Sequence, residues 1–165
     1  MASAMLGPSC PASMMPAGVG ARGAVAVPSA MPINGAARTT PLGFESSGQF
    51  TRAVEDLRGA LGASGIDDAV IGVRGSSVSG ASFKTGAPFS PKSDIDFFIE
   101  SAKLTDAYRT SQNIPGFVHP KPILRDYPAL QDWSSRWQAE LGRKVTPGGF
   151  VPGSIPDHPA IVVRP

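Results

Sequence analysis

A small α/β fold, a mixed sheet of about three to five strands with helices packed on it, is what this 165-residue sequence predicts. Three observations carry that expectation. Two segments repeat apolar residues at helical spacing, short β-branched and aromatic runs read as buried strands, and stretches rich in glycine and proline separate them. The predicted order is helix, strand, loop, strand, helix, helix, strand, with no internal repeat.

In "SSGQFTRAVEDLRGALGASG", Phe50, Val54, Leu57 and Leu61 share one helical face. Ser46 or Ser47 can cap its start by accepting a backbone N–H bond, and Gly62 or Gly65 can end it in a left-handed conformation. "AVIGV" (69–73) follows as a short buried strand, and the chain then becomes a polar, glycine-rich loop through Gly75, Gly80 and Gly86. "IDFFI" (95–99) is apolar on both alternating faces apart from Asp96, which predicts a central strand beside the first. "AKLTDAYRTSQN" reads as a helix ended by Pro115 and Gly116, and Pro120, Pro122 and Pro128 are expected to keep the following stretch extended. "YPALQDWSSRWQAELGR" sets Leu130, Trp133, Trp137 and Leu141 on one helical face, with Pro128 in the first turn and both tryptophans in the core. "TPGGFVPGSIPDHP" reads as a loop, and "AIVV" (160–163) as a further strand.

Residues 1–42 differ in texture from 43–165. The first segment consists mainly of Ala, Gly, Pro, Ser and Met, holds all five methionines and lacks any carboxylate, so it reads as a linker or disordered start ahead of one domain. Prolines interrupt every apolar run there, and no basic start precedes an apolar stretch. Neither a membrane helix nor a secretory signal is therefore expected. The net charge of +2 comes from Arg22 and Arg38, and the remainder carries thirteen basic and thirteen acidic residues. A neutral domain argues against tight nonspecific nucleic-acid binding driven by net charge. The lone Cys10 excludes disulfides from the fold and excludes a cysteine-based zinc site.

The chemistry is concentrated in "VRGSSVSGASFKTGAPFSPKSDIDFFI" (73–99). Asp94 and Asp96 open an apolar strand, where a carboxylate costs desolvation free energy unless something compensates for it. Residues two apart in a strand point the same way, so the pair can share a hard divalent cation such as Mg2+ or Mn2+, leaving part of its shell for water and phosphates. Gly75 and Ser76, directly after the first strand, supply the complement. Glycine lets the backbone approach a phosphate closely, and neighbouring N–H groups and the Ser76 hydroxyl can bind its oxygens.

On these residues the sequence resembles the nucleotidyltransferase superfamily that includes DNA polymerase beta, with its Gly-Ser turn and Asp-x-Asp strand. It is most similar to the small nucleotidyltransferase-like domains at the ends of bacterial polymorphic toxins. The matching residues are Arg74, Gly75, Ser76, Val78, Gly80, Ser82, Thr85, Gly86, Pro88, Phe89, Ser93, Asp94 and Asp96, in a stretch of about a sixth of the chain. The resemblance implies a nucleotidyltransferase-like fold over 43–165 and magnesium-dependent transfer of a nucleoside monophosphate from a nucleoside triphosphate to a hydroxyl. The acceptor is left open among an RNA end, a protein and a small molecule. Asp94 and Asp96 would hold the metal. Ser76, with the Gly75 backbone and Ser93, would hold phosphates, and Arg74 or Lys92 would offset charge on the leaving pyrophosphate. A toxin of this kind would act in the cytoplasm, be delivered within a secreted effector and meet a cognate immunity protein.

The resemblance also calls for a third carboxylate on a later strand to deprotonate the acceptor. "AIVVRP" holds none, and Asp157 just before it is the candidate. Two alternatives follow: a catalytically decayed module that binds nucleotides or partners, and an Asp-x-Asp glycosyltransferase, for which the domain is short. Read without the resemblance, Asp94 and Asp96 can be a turn cap or partners of Arg74 and Lys92, and Lys84 and Lys92 are solvated loop residues. His119 and His158 are expected at the surface, His158 remaining a distant candidate for acid–base work.

Overall fold

The computed structural model describes residues 38–164; most of the segment read as a linker, with Cys10, lies outside them. The helical periodicity after Ser46 becomes α1 (Ser47–Ala63). Ser46 caps it, its Oγ accepting from the Gln49 N–H at 3.1 Å, and Gly65 follows its end with φ +74°. Leu42, just ahead of the expected domain start, is already tied in, its N–H donating to the Ser77 carbonyl at 2.7 Å.

Among the described residues the sheet has five strands in the order β3-β4-β2-β1-β5. The predicted strands are β1 (Val70–Arg74), β2 (Ile95–Glu100) and β5 (Ala160–Val163), with β1 antiparallel to both others. Between β1 and β2 stands a single helical turn, α2 (Ser76–Ser79). Two strands were not expected: β3 (Phe117–Val118) and β4 (Val145–Phe150), the latter parallel to β2. β4 occupies the first part of the segment read as a loop. Its Pro147 lies where the short β3, paired only with Gly149 and Phe150, offers no ladder partner.

The helix expected over 102–113 stops after one turn, as α3 (Ala102–Thr105). The chain instead bends at Tyr108, whose hydroxyl donates to Asp126 at 3.1 Å. The stretch expected to be extended holds α4 (Pro120–Asp126), because Pro120 and Pro122 fall in its first turn, where backbone N–H groups have no intrahelical partner. Pro128 likewise opens α5 (Pro128–Leu141).

One face of the sheet builds the main core. Ile71, Val73, Ile95, Phe97, Ile99 and Val145 pack there with the apolar stripes of α1 and α5. The tryptophans are buried in it, and each indole N–H is satisfied: Trp133 donates to the Ala53 carbonyl at 3.0 Å and Trp137 to Asp56 at 3.1 Å. The opposite face is floored by rings. Phe98 lies across Gly72, Phe117 lies across Gly148, and Phe150 meets both rings at centroid distances of 6.3 and 5.0 Å. A Cβ at Gly148 would stand 2.5 Å from the Phe117 ring, so glycine in this strand serves ring packing. Among the described residues no helix is long and apolar enough to cross a membrane.

Candidate functional site

The ring-floored face leads to the motif residues. Arg74 ends β1 on that face, and its guanidinium lies over the Phe150 ring, 5.1 Å from the centroid. Gly75 then takes φ +82° and ψ −157°, a conformation open essentially to glycine alone. A Cβ there would stand 3.2 Å from Asp96 Oδ2. The turn is pinned from below. The Gly75 carbonyl accepts the Val78 and Ser79 N–H groups at 3.0 Å each, and Ser77 Oγ donates to the Arg74 carbonyl at 3.3 Å.

β2 brings the acid to this turn through register. Asp96 is the antiparallel partner of Arg74 and the parallel partner of Thr146, so the three form one row across the sheet on the ring-floored face. Asp96 is exposed to the solvent of the hollow, yet partial desolvation by the walls around it, and next the charge of Asp94, hold its carboxyl above the usual carboxylate range, against the opposing pull of Arg74. Burial also lowers the Arg74 guanidinium, in spite of Asp96. Arg74 Nη1 is buried and has no hydrogen-bond partner among the described residues.

A hollow of about 570 Å³ opens over this row. Arg74, Gly75, Ser76 and Asp96 line it, together with Ser82, Phe83 and Lys84 of loop 80–93. Asn113, Ile114 and Pro115 contribute from a second loop, and Pro156 and His158 from a third. No protein-family model matches this chain, and no curated protein and no solved structure is significantly similar to it. Its chemistry is therefore read from the hollow itself.

Four of the residues singled out in the sequence thus converge: Arg74, Gly75, Ser76 and Asp96. Asp94 stands just ahead of β2 and faces another neighbour, with Lys144 Nζ 3.3 Å from its Oδ2. Ser93 has a positioning role. Its Oγ accepts the Ser90 N–H at 2.9 Å, and Arg143, stacked on Phe89, donates to the carbonyls of Ser90 and Ser93 at 3.2 and 3.3 Å. These bonds fix the backbone that delivers Asp94. Lys92 is exposed at that turn and does not line the hollow, whereas Lys84 does. Asp157 does not line it either, but its neighbour His158 does. Phe83, Lys84 and His158 had one legible signal between them, an aromatic residue placed in a glycine-rich loop.

The donor set can be tested against a divalent cation. Asp94 and Asp96 are hard oxygen ligands close enough for the Asp94 charge to raise Asp96, and a shared cation relieves that repulsion. Among the described residues no three His, Cys, Asp or Glu side chains come together to hold a metal. A magnesium or manganese ion on this pair would have to take its remaining ligands from water and phosphate, and would have to draw Asp94 from Lys144. The strand beside β2 offers Thr146 opposite Asp96 and Lys144 at its mouth, and no carboxylate.

A second hollow, of about 450 Å³, is lined by both of these residues, Thr146 and Lys144. His119, Lys121, Leu124 and Arg125 contribute to its wall.

Proposed function

We propose that this domain binds the phosphates of a nucleoside triphosphate and transfers the nucleoside monophosphate to a hydroxyl acceptor. The observation that supports it best is the convergence of Arg74, Gly75, Ser76 and Asp96 on one hollow, where a buried Arg74 nitrogen lacks a partner. A guanidinium nitrogen left without a hydrogen-bond partner in a concave site suits an oxyanion ligand. Gly75 keeps the space beside Asp96 clear, which lets a phosphate approach the backbone closely.

In this reading the acceptor oxygen attacks the α-phosphorus, the bond to the bridging oxygen breaks and pyrophosphate leaves. Arg74 and Lys84 offset the charge on the departing phosphates, and Ser76 orients them. A magnesium ion held by Asp94 and Asp96 would supply charge neutralisation at the reacting phosphate. The acceptor proton passes to water, since among the described residues no third carboxylate joins the pair. The effector role of a bacterial toxin, with its immunity partner, rests on the motif resemblance alone.

A second reading is a module that binds nucleotide without transferring it. It is favoured by Asp157, the candidate third acid, not lining the hollow, and by β4 presenting Lys144 and Thr146 beside the two aspartates. Incubating the purified chain with α-labelled nucleoside triphosphate, magnesium and cell extract separates the two. Transfer predicts a labelled acceptor that disappears with Asp94→Ala/Asp96→Ala, and binding alone predicts retained nucleotide with no labelled product.

A further inference from the structure

Away from Arg74 and the Gly-Ser turn, the wall of the main hollow changes character. Phe83 stands on loop 80–93 with 54% of its surface exposed, one of the few large apolar side chains so placed among the described residues. Burial does not explain it. Its ring stacks on His158, centroids 4.9 Å apart and planes at 24°, although the two residues come from different loops. Both rings line the hollow that Arg74, Gly75 and Ser76 line, and Ile114 and Pro115 add apolar surface to it. A ligand complementary to such a site is anionic at one end and flat, aromatic and apolar-faced at the other.

We propose that the Phe83–His158 pair is the stacking platform for the base of a nucleotide whose phosphates lie against Arg74, Gly75 and Ser76. The inference rests on the reading of the hollow as a triphosphate site and adds the part of the ligand that reading left open. Every base has a π-face, so a platform of this kind separates nucleotides from bare polyphosphate rather than one base from another. Phe83 provides the ring, and His158 beneath it holds that ring in place.

Calorimetry on the full chain tests the platform, comparing the four ribonucleoside triphosphates with inorganic triphosphate, all with magnesium. Wild type is expected to bind the nucleotides more tightly than inorganic triphosphate. Phe83→Leu, which keeps apolar bulk and loses the ring, is expected to weaken nucleotide binding about ten-fold. It should leave inorganic triphosphate unchanged, and Phe83→Tyr should retain wild-type affinity. If Phe83→Leu leaves nucleotide affinity intact, or weakens both ligands equally, the platform is overturned while the phosphate site stands. If wild type binds neither ligand, the phosphate site is overturned and the platform falls with it.

Discussion

Lys144 Nζ stands 3.3 Å from Asp94 Oδ2, at the mouth of the strand that runs parallel to the one the two aspartates open. An ammonium thus sits on a carboxylate that the proposed function gives to a divalent cation, and on that proposal the two cations would compete for it. Both side chains are largely exposed, at 60% and 44%, so the pair adds little to stability. Lys144→Met is expected to leave the denaturation midpoint nearly unchanged and to tighten Mn2+ binding several-fold, read by electron paramagnetic resonance. Unchanged or weaker manganese binding would remove Asp94 from the metal site.

Gly75 is a second point of attack. Its φ of +82° with ψ −157° strains any other residue, and an added Cβ meets Asp96 at 3.2 Å. Gly75→Ala should cost about 1–3 kcal/mol in urea denaturation. A variant as stable as wild type would mean that the turn relaxes into another conformation.

The raised Asp96 carboxyl fixes the sign of a pH effect. Partial desolvation of this exposed carboxyl and the Asp94 charge make the native state hold the neutral acid better than the unfolded chain does, whose carboxyl titrates near about 3.9. The stability Asp96 contributes is therefore fully present below that value and is lost as pH rises through the higher native one. Asp96→Asn, which stays neutral throughout, should gain on wild type as pH goes from about 4 to 7. Paired urea titrations at the two ends check this, and a difference that shrinks with rising pH would reverse the assignment.

Gly148 tests β4. A Cβ there would stand 2.5 Å from the Phe117 ring, so Gly148→Ala should destabilise by about 1–3 kcal/mol through overpacking. The same change at Gly59, where an added Cβ meets nothing within 4 Å and the backbone is helical, serves as a control for added bulk. A neutral Gly148→Ala would argue that the segment is a loop after all.

The contrast between these positions shows what the sequence disclosed. α1 and α5 were legible because their stripes are local, and β1 and β2 because their apolar runs are bounded by polar turns. β4 was not, since Pro147, Gly148 and Gly149 carry turn chemistry. Their reasons lie elsewhere in the chain, in the Phe117 ring over Gly148 and the Ile123 and Val118 side chains 3.2 and 3.3 Å from a Cβ at Gly149. α4 was hidden by prolines that break a helix interior but suit its first turn. Within the site, the Gly-Ser turn and Asp96 were legible as a pattern joined by adjacent strands. The exchange of Lys92 for Lys84, and the meeting of Phe83 with His158, depend on the path of loop 80–93 and have no spacing signature.

The convergence of Arg74, Gly75, Ser76 and Asp96 is tested most directly by titrating the full chain calorimetrically with a nucleoside triphosphate, with and without magnesium. The account predicts saturable binding that requires the metal and is lost in both Arg74→Ala and Asp94→Ala/Asp96→Ala. Binding by none of the four nucleotides, or binding that survives both substitutions, would contradict it.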